Sequence, residues 1–336
     1  GIDQKNWNRL LANPEHPLEN KAIQGLYAPG SIFKVVTAYA GLAQGVITPQ
    51  TERVCNGYYF IKGRSAPFKC WKEGGHGKVN LIDAIKGSCN VYFYNTGVGV
   101  GVDAIHKYAN LFGLGKITGV GLQNEKAGLI PSSKWKKRIF KEPWYRGETP
   151  SAAIGQGYIT TTPLQVINMI NILANDGLWM PPSLFKDQQG LQPQQIPLKD
   201  EYLSLIREGM VAVVNSEGGT AKKVQFEEFT VAGKTATSQV ISNKTLETLD
   251  DEAKASKIFQ NHAWFVAFGP AEDPEISVLA LVEHGGGGSK AAAPVVRKIL
   301  SYYIDNIYQP KTEETLQNNV ELKNRKFSDR LNTAFY

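Results

Sequence analysis

The chain has 336 residues, 42% hydrophobic and 20% charged, enough apolar material for one large domain or two ordinary ones. A net charge of +6 is mild, and no nucleic-acid-binding motif accompanies it, so no nucleic acid is expected as a partner. The longest clean apolar run, ISVLALV at 276–282, falls short of the roughly 18–20 residues a membrane helix needs, and the opening GIDQKNWNRL lacks the basic-then-apolar pattern of a signal peptide.

In chain order, SIFKVVTAYAGLAQG (31–45) predicts the first long helix, with Pro29-Gly30 before it and Gly45 closing it. Residues 51–80 are glycine-rich and read as loops or a short hairpin insertion. A helical pattern runs from Asn80 through LIDAIKGSCNVYFYNTGV, and another covers 103–112. KWKKRIFK (134–141) interleaves bases with Trp135, Ile139 and Phe140 and reads first as a solvated face. TPLQVINMINILANDG (162–177) carries Thr162 as cap, Pro163 at the first helical position and Gly177 as stop. A Gln/Pro-rich connection (187–197) leads to a helix over 203–215. The character then changes: 228–240, 262–270 and 275–285 are rich in Val, Thr and aromatics and predict three successive strands, the last two antiparallel. Residues 289–307 predict a closing helix, and the tail from Pro310 is polar. Helices first and strands late predict an α+β domain with its sheet packed under helices.

Ser31 and Lys34 stand at i and i+3 on the first turn of a helix, which makes them neighbours. A helix start favours a developing alkoxide, and a neutral lysine can take the serine's proton. Ser-x-x-Lys also occurs at Ser133/Lys136 and Ser183/Lys186, so the pattern alone decides nothing. Two further pieces decide it: Ser88-Cys89-Asn90, the only Ser-x-Asn, and Lys234-Thr235-Ala236-Thr237, the only Lys-Thr followed by a small residue. In this order they are the motif set of the penicillin-recognising serine acyltransferases. Ser31 is then the nucleophile and Lys34 its base. Ser88 and Asn90 relay protons and bind the substrate amide. Lys234 supplies a second cation that lowers the Lys34 pKa, and it attracts a carboxylate together with Thr235 and Thr237. Backbone N–H groups of Ser31 and Thr237 form the oxyanion hole.

The resemblance is closer than that superfamily. QGLYAPGSIFKV, GLQNEKAGLIPSSKW, IGQGYITTTPLQ, AGKTATSQV and the stretch from HAWFVAFGP to VVRKIL are similar to the transpeptidase domain of class B penicillin-binding proteins of the cell-elongation type. The resemblance covers residues 1–308 and leaves 309–336 as a polar extension. It implies a mainly antiparallel sheet of about five strands sandwiched by helices, and cross-linking of peptidoglycan stem peptides through a Ser31 acyl-enzyme that β-lactams also form. It further implies a membrane anchor and a pedestal domain, neither of which is expected within these residues. The implied setting is the periplasmic face of the bacterial cytoplasmic membrane, beside a glycan polymerase and an elongation scaffold protein. Where the family has Lys-Thr-Gly this chain has Ala236, whose methyl is expected to crowd the ligand-facing edge of the strand. A serine β-lactamase shares the three motifs, but no separate deacylating carboxylate motif is present. A β-lactam-binding sensor module without turnover is the other alternative.

The three cysteines, Cys55, Cys70 and Cys89, surround His76 in KCWKEGGHG. They read either as a disulfide plus a buried thiol, natural in an oxidising compartment, or as one structural Zn²⁺. Cysteine is absent elsewhere, His76 lies in a glycine-lined loop, and four such ligands complete a closed tetrahedral site, which points to zinc. The resemblance implies a zinc in the same region. If Ser88-Cys89-Asn90 is locally extended, Ser88 and Asn90 face the cleft and Cys89 the metal.

Overall fold

The computed structural model describes residues 1–186, 190–240 and 256–309. Two compact units divide the chain, and the first, Gly1–Arg297, holds all the site residues. The tail from Pro310 and part of the 187–197 connection lie outside the described residues.

A helix at Gln4–Leu11 (α1), capped by the Asp3 side chain, opens the chain. The predicted 31–45 helix forms in two parts. Residues Gly30–Phe33 make one 3-10 turn, and Lys34–Ala43 continue as α2, whose exit is marked by Gly45 in the left-handed region. Lys34 through Leu42 are all buried, so α2 is enclosed on every side. Residues 53–79 form two small antiparallel pairs. Arg53–Cys55 (β1) pairs with Gly77–Val79 (β4), and Tyr58–Tyr59 (β2) pairs with Phe68–Lys69 (β3).

The pattern read as one helix from Asn80 is two helices, Leu81–Lys86 (α3) and Asn90–Val100 (α4). Asn80 caps α3, and the chain breaks at Gly87–Cys89, where Ser88 takes φ +53°. Val102–Leu111 (α5), Ser133–Phe140 (α6) and Thr149–Ala153 (α7) follow. Pro163–Ala174 (α8) has the predicted start, with Thr162 and Gln165 closing a reciprocal capping box and Pro163 first. After a short pair, Leu178–Trp179 (β5) with Gln194–Gln195 (β6), comes Asp200–Asn215 (α9).

The main sheet is antiparallel in the order β7-β8-β9, formed by Ala232–Ser238, His262–Gly269 and Ile276–Val282. It has three strands among the described residues, not the about five implied by the resemblance. The N-terminal residues go into α1 and turns, and the chain after β9 goes into a helix, Gly288–Asn306 (α10), so neither supplies a further strand. β8 is buried almost throughout, while β9 is half-buried, as an edge strand is. α9 packs on β7, α8 on β8 and β9, and α2 touches α3, α4, α5 and α9. The arrangement is the α+β architecture that the element order predicts.

Candidate active site

The turn that carries Ser31 is held by backbone contacts. Gly30 N–H donates to Gly155 O at 3.0 Å. A Cβ on Gly155 would lie 2.4 Å from Gly30 O, and Gly155 has φ +70°, so only glycine fits there. On its other side the turn meets β7: a Cβ at Gly30 would lie 3.1 Å from Thr237 O and 3.4 Å from Ala236 Cβ. Thr237 O accepts from Gln156 Nε2 at 3.3 Å. The N–H and C=O of one residue point to the same edge of a strand, so Thr237 N–H faces that edge beside Ser31 as well.

Lys34 is completely buried. Its Nζ reaches Ser88 O at 2.7 Å, Ser88 Oγ at 3.0 Å and Asn90 Oδ1 at 2.7 Å. Asn90 is oriented by its own amide, which donates to Lys69 O at 3.4 Å. Burial pushes the Lys34 amine down to about 7, opposed in part by the cysteine sulfurs. Lys234 is equally buried, and its Nζ donates to Thr235 O at 3.2 Å. Burial first, and then the charge of Lys34, hold Lys234 well below the ordinary lysine range. The two buried amines disfavour each other's charge, and Lys34 carries three oxygen acceptors at its Nζ.

On β7, Thr237 is exposed, whereas Thr235 is buried with its hydroxyl 2.9 Å from that of Thr220. Ala236 is buried, with its methyl against Gly30 and not at the exposed face that Thr237 presents. The two decoy pairs are otherwise engaged. Ser133 Oγ donates to Asp103 at 2.6 Å, Lys136 Nζ to Glu148 at 2.6 Å and Ser183 Oγ to Phe185 O at 2.8 Å. Lys136 is buried against Phe140 and Tyr158, so the basic helix α6 is not wholly a solvated face.

The ligand atoms of Cys55, Cys70, His76 and Cys89 lie within 4.8 Å of one another, a group that could hold a metal ion. All three cysteines are free. His76 Nδ1 is 3.5 Å from Cys70 Sγ and 3.7 Å from Cys55 Sγ, bracketing the S···N edge of about 3.6 Å in a tetrahedral Zn site. His76 Nε2 donates to Gly87 O at 3.0 Å, which leaves Nδ1 for the metal and fixes the ring. A thiol hydrogen bond from Cys89 holds the Cys70 thiol below its usual range, while the same bond and then burial push the Cys89 thiol up, so the pair shares one proton. Gly75 allows the loop to close, since a Cβ there would lie 2.0 Å from Cys55 O. Ser88 and Asn90 do face Lys34 while Cys89 faces the cluster, but through a left-handed kink at Ser88 and a helix start at Asn90, not an extended triplet.

Sequence reasoning passed over three contributors: Trp71, Gln156 and Thr220. Gln156 lies between two glycines of positive φ and Thr220 follows Gly218-Gly219, which is the signal that could have marked them.

The model of the penicillin binding protein transpeptidase domain family matches residues 2–301. The chain belongs to this family. It falls in the class B, elongation-type branch. It is 38% identical over 316 residues to the peptidoglycan D,D-transpeptidase MrdA of Haemophilus influenzae, covering 91% of this chain and 48% of that protein. Among solved structures it is similar to Pseudomonas aeruginosa PBP2 in complex with WCK 5153, with TM-score 0.82 and 34% identity over 94% of this chain and 69% of that one. It also resembles PBP2 of Helicobacter pylori, solved in a complex with MreC, with TM-score 0.81 and 33% identity over 92% and 55% of the respective chains. The chain spans about half the length of the curated relatives it matches. Among the described residues no helix is long and apolar enough to cross a membrane.

Proposed function

We propose that this chain, over residues 1–308, is the catalytic part of a peptidoglycan D,D-transpeptidase acting through a Ser31 acyl-enzyme, with 309–336 a polar extension. The observation that carries the reading is the fully buried Lys34 amine bonded to both Ser88 Oγ and Asn90 Oδ1, which joins two motifs far apart in sequence beside the β7 edge. Neutral Lys34 takes the Ser31 proton as Oγ attacks the carbonyl of the stem peptide's scissile amide. The N–H groups of Ser31 and Thr237 hold the oxyanion. Ser88 Oγ, hydrogen-bonded to Lys34, returns the proton to the departing amine, leaving an ester on Ser31. An acceptor amine then attacks that ester, forming the cross-link and freeing the serine. Lys234 and the Thr237 hydroxyl bind the substrate carboxylate, and Thr235 steadies the strand through Thr220. The bound carboxylate favours charged Lys234, and that charge drives Lys34 toward its neutral, basic form.

Cys55, Cys70, His76 and Cys89 hold one structural Zn²⁺ in this reading. A closed four-ligand site contributes folding energy and no reaction step. It fastens the 53–79 loops to Gly87–Cys89 behind the catalytic motif. The whole protein works at the outer face of the cytoplasmic membrane with a glycan polymerase and a scaffold. The MreC complex of the Helicobacter pylori relative supports the last of these.

Exposure to a penicillin followed by peptide mapping tests the site. The adduct is expected on the peptide containing Ser31 and is abolished by Ser31→Ala. An adduct on Ser133 or Ser183 would overturn the assignment.

A further inference from the structure

We propose that Trp71 is a positioning residue for acylation, its indole N–H holding the Ser88 carbonyl that in turn holds the Lys34 amine. This deepens the acyl-enzyme reading and rests on it. Trp71 is 59% exposed, so core packing does not explain its place. Yet its Nε1 turns inward, 3.0 Å from Ser88 O and 3.1 Å from Gly87 O. An exposed indole can satisfy its N–H with water, so this inward aim is a specific use of the donor.

Ser88 O also accepts from Lys34 Nζ at 2.7 Å, so its two lone pairs are taken from opposite sides, one by the loop and one by the base. Gly87 O is shared in the same manner by Trp71 and His76 Nε2. Both carbonyls belong to the kink between α3 and α4, where Ser88 sits at φ +53°. A non-glycine residue keeps that conformation only where its surroundings over-determine it. The edge of the Trp71 ring meets His76 with centroids 5.5 Å apart, which sets the plane of the indole. Lys69, two residues earlier, fixes Asn90 through its carbonyl. The loop at 69–71 therefore sets two of the three oxygens around Lys34 Nζ, one through a backbone acceptor and one through the Trp71 donor. Without that donor the Ser88 peptide is free to tilt, and the amine it anchors shifts relative to Ser31.

The test replaces Trp71 with 3-benzothienylalanine, which keeps the bicyclic ring and puts sulfur where the N–H was, and separately makes Trp71→Phe. Acylation by a fluorescent penicillin is followed over a concentration series, and melting temperatures are taken in parallel. Both variants are expected to lose on the order of three- to tenfold in the saturated acylation rate, the size of one ordinary hydrogen bond. The half-saturating concentration and the melting temperature of the benzothienylalanine variant stay at wild-type values. A wild-type saturated rate in that variant overturns the proposal, and so does a fall in rate that tracks an equal fall in melting temperature. A wild-type chain that forms no Ser31 adduct overturns the acyl-enzyme reading itself, and this inference with it.

Discussion

Lys34 combines full burial with three oxygen acceptors at Nζ, so its ammonium is disfavoured by desolvation yet still hydrogen-bonded. Its proton is lost at about 7 in the folded chain and near 10.5 in the unfolded one. Penicillin acylation should rise with pH through about 7 as the base becomes neutral, and Lys34→Met should lose roughly 10²–10⁴ in rate. Between pH 7 and 10 the unfolded chain binds more protons at this position than the folded one, so wild-type stability rises with pH there. Below about 7 both states are protonated and the burial penalty is complete. Relative to Lys34→Met, the wild type should therefore gain stability from pH 7 to 10, with a limiting slope of about 1.4 kcal/mol per pH unit. Urea titrations of both proteins at pH 6, 8 and 10 measure this, and a constant difference would refute it. The residue pair itself was legible in the sequence once the two other motifs were seen. Trp71 and Gln156 were not, because their partners are backbone carbonyls, and a sequence does not say which carbonyl a fold will present.

Among the elements, a cap and a first position were readable where chemistry marks them, at Thr162-Pro163. The break at Gly87–Cys89 was not, because the apolar pattern continues on both sides of it and the kink is imposed by partners distant in sequence. The same holds for 53–79, whose four two- or three-residue strands are too short to show a period. Such short pairs are marginal by themselves, so a staple is expected to keep them in register. Cys70→Ser, or removal of metal by a chelator, should lower the melting temperature by several degrees, at about 2–4 °C per kcal/mol for a chain of this class. Acylation should slow while the adduct stays on Ser31. Elemental analysis should find about one zinc per wild-type chain. A metal-free chain with a Cys55–Cys70 disulfide and undiminished acylation would end the zinc reading.

For the whole molecule, the reaction divides into halves with different needs. In the proposed mechanism the groups that act in acylation, Ser31, Lys34, Ser88, Asn90, Lys234 and Thr237, all lie within Gly1–Arg297. Transfer of the acyl group needs an acceptor amine from a second strand, which a polymer must bring. The chain alone should therefore take up one penicillin per molecule, at a rate that an added scaffold protein does not change. Stable protein partners bury about 1,200–2,000 Å². In the proposed reading the scaffold contact lies outside residues 1–308, so these residues should show no binding to the scaffold at micromolar concentration. Surface plasmon resonance against immobilised scaffold, run beside the acylation assay, measures both. Tight binding, or a scaffold-dependent acylation rate, would place part of the scaffold contact on this domain and make its site conditional on the partner.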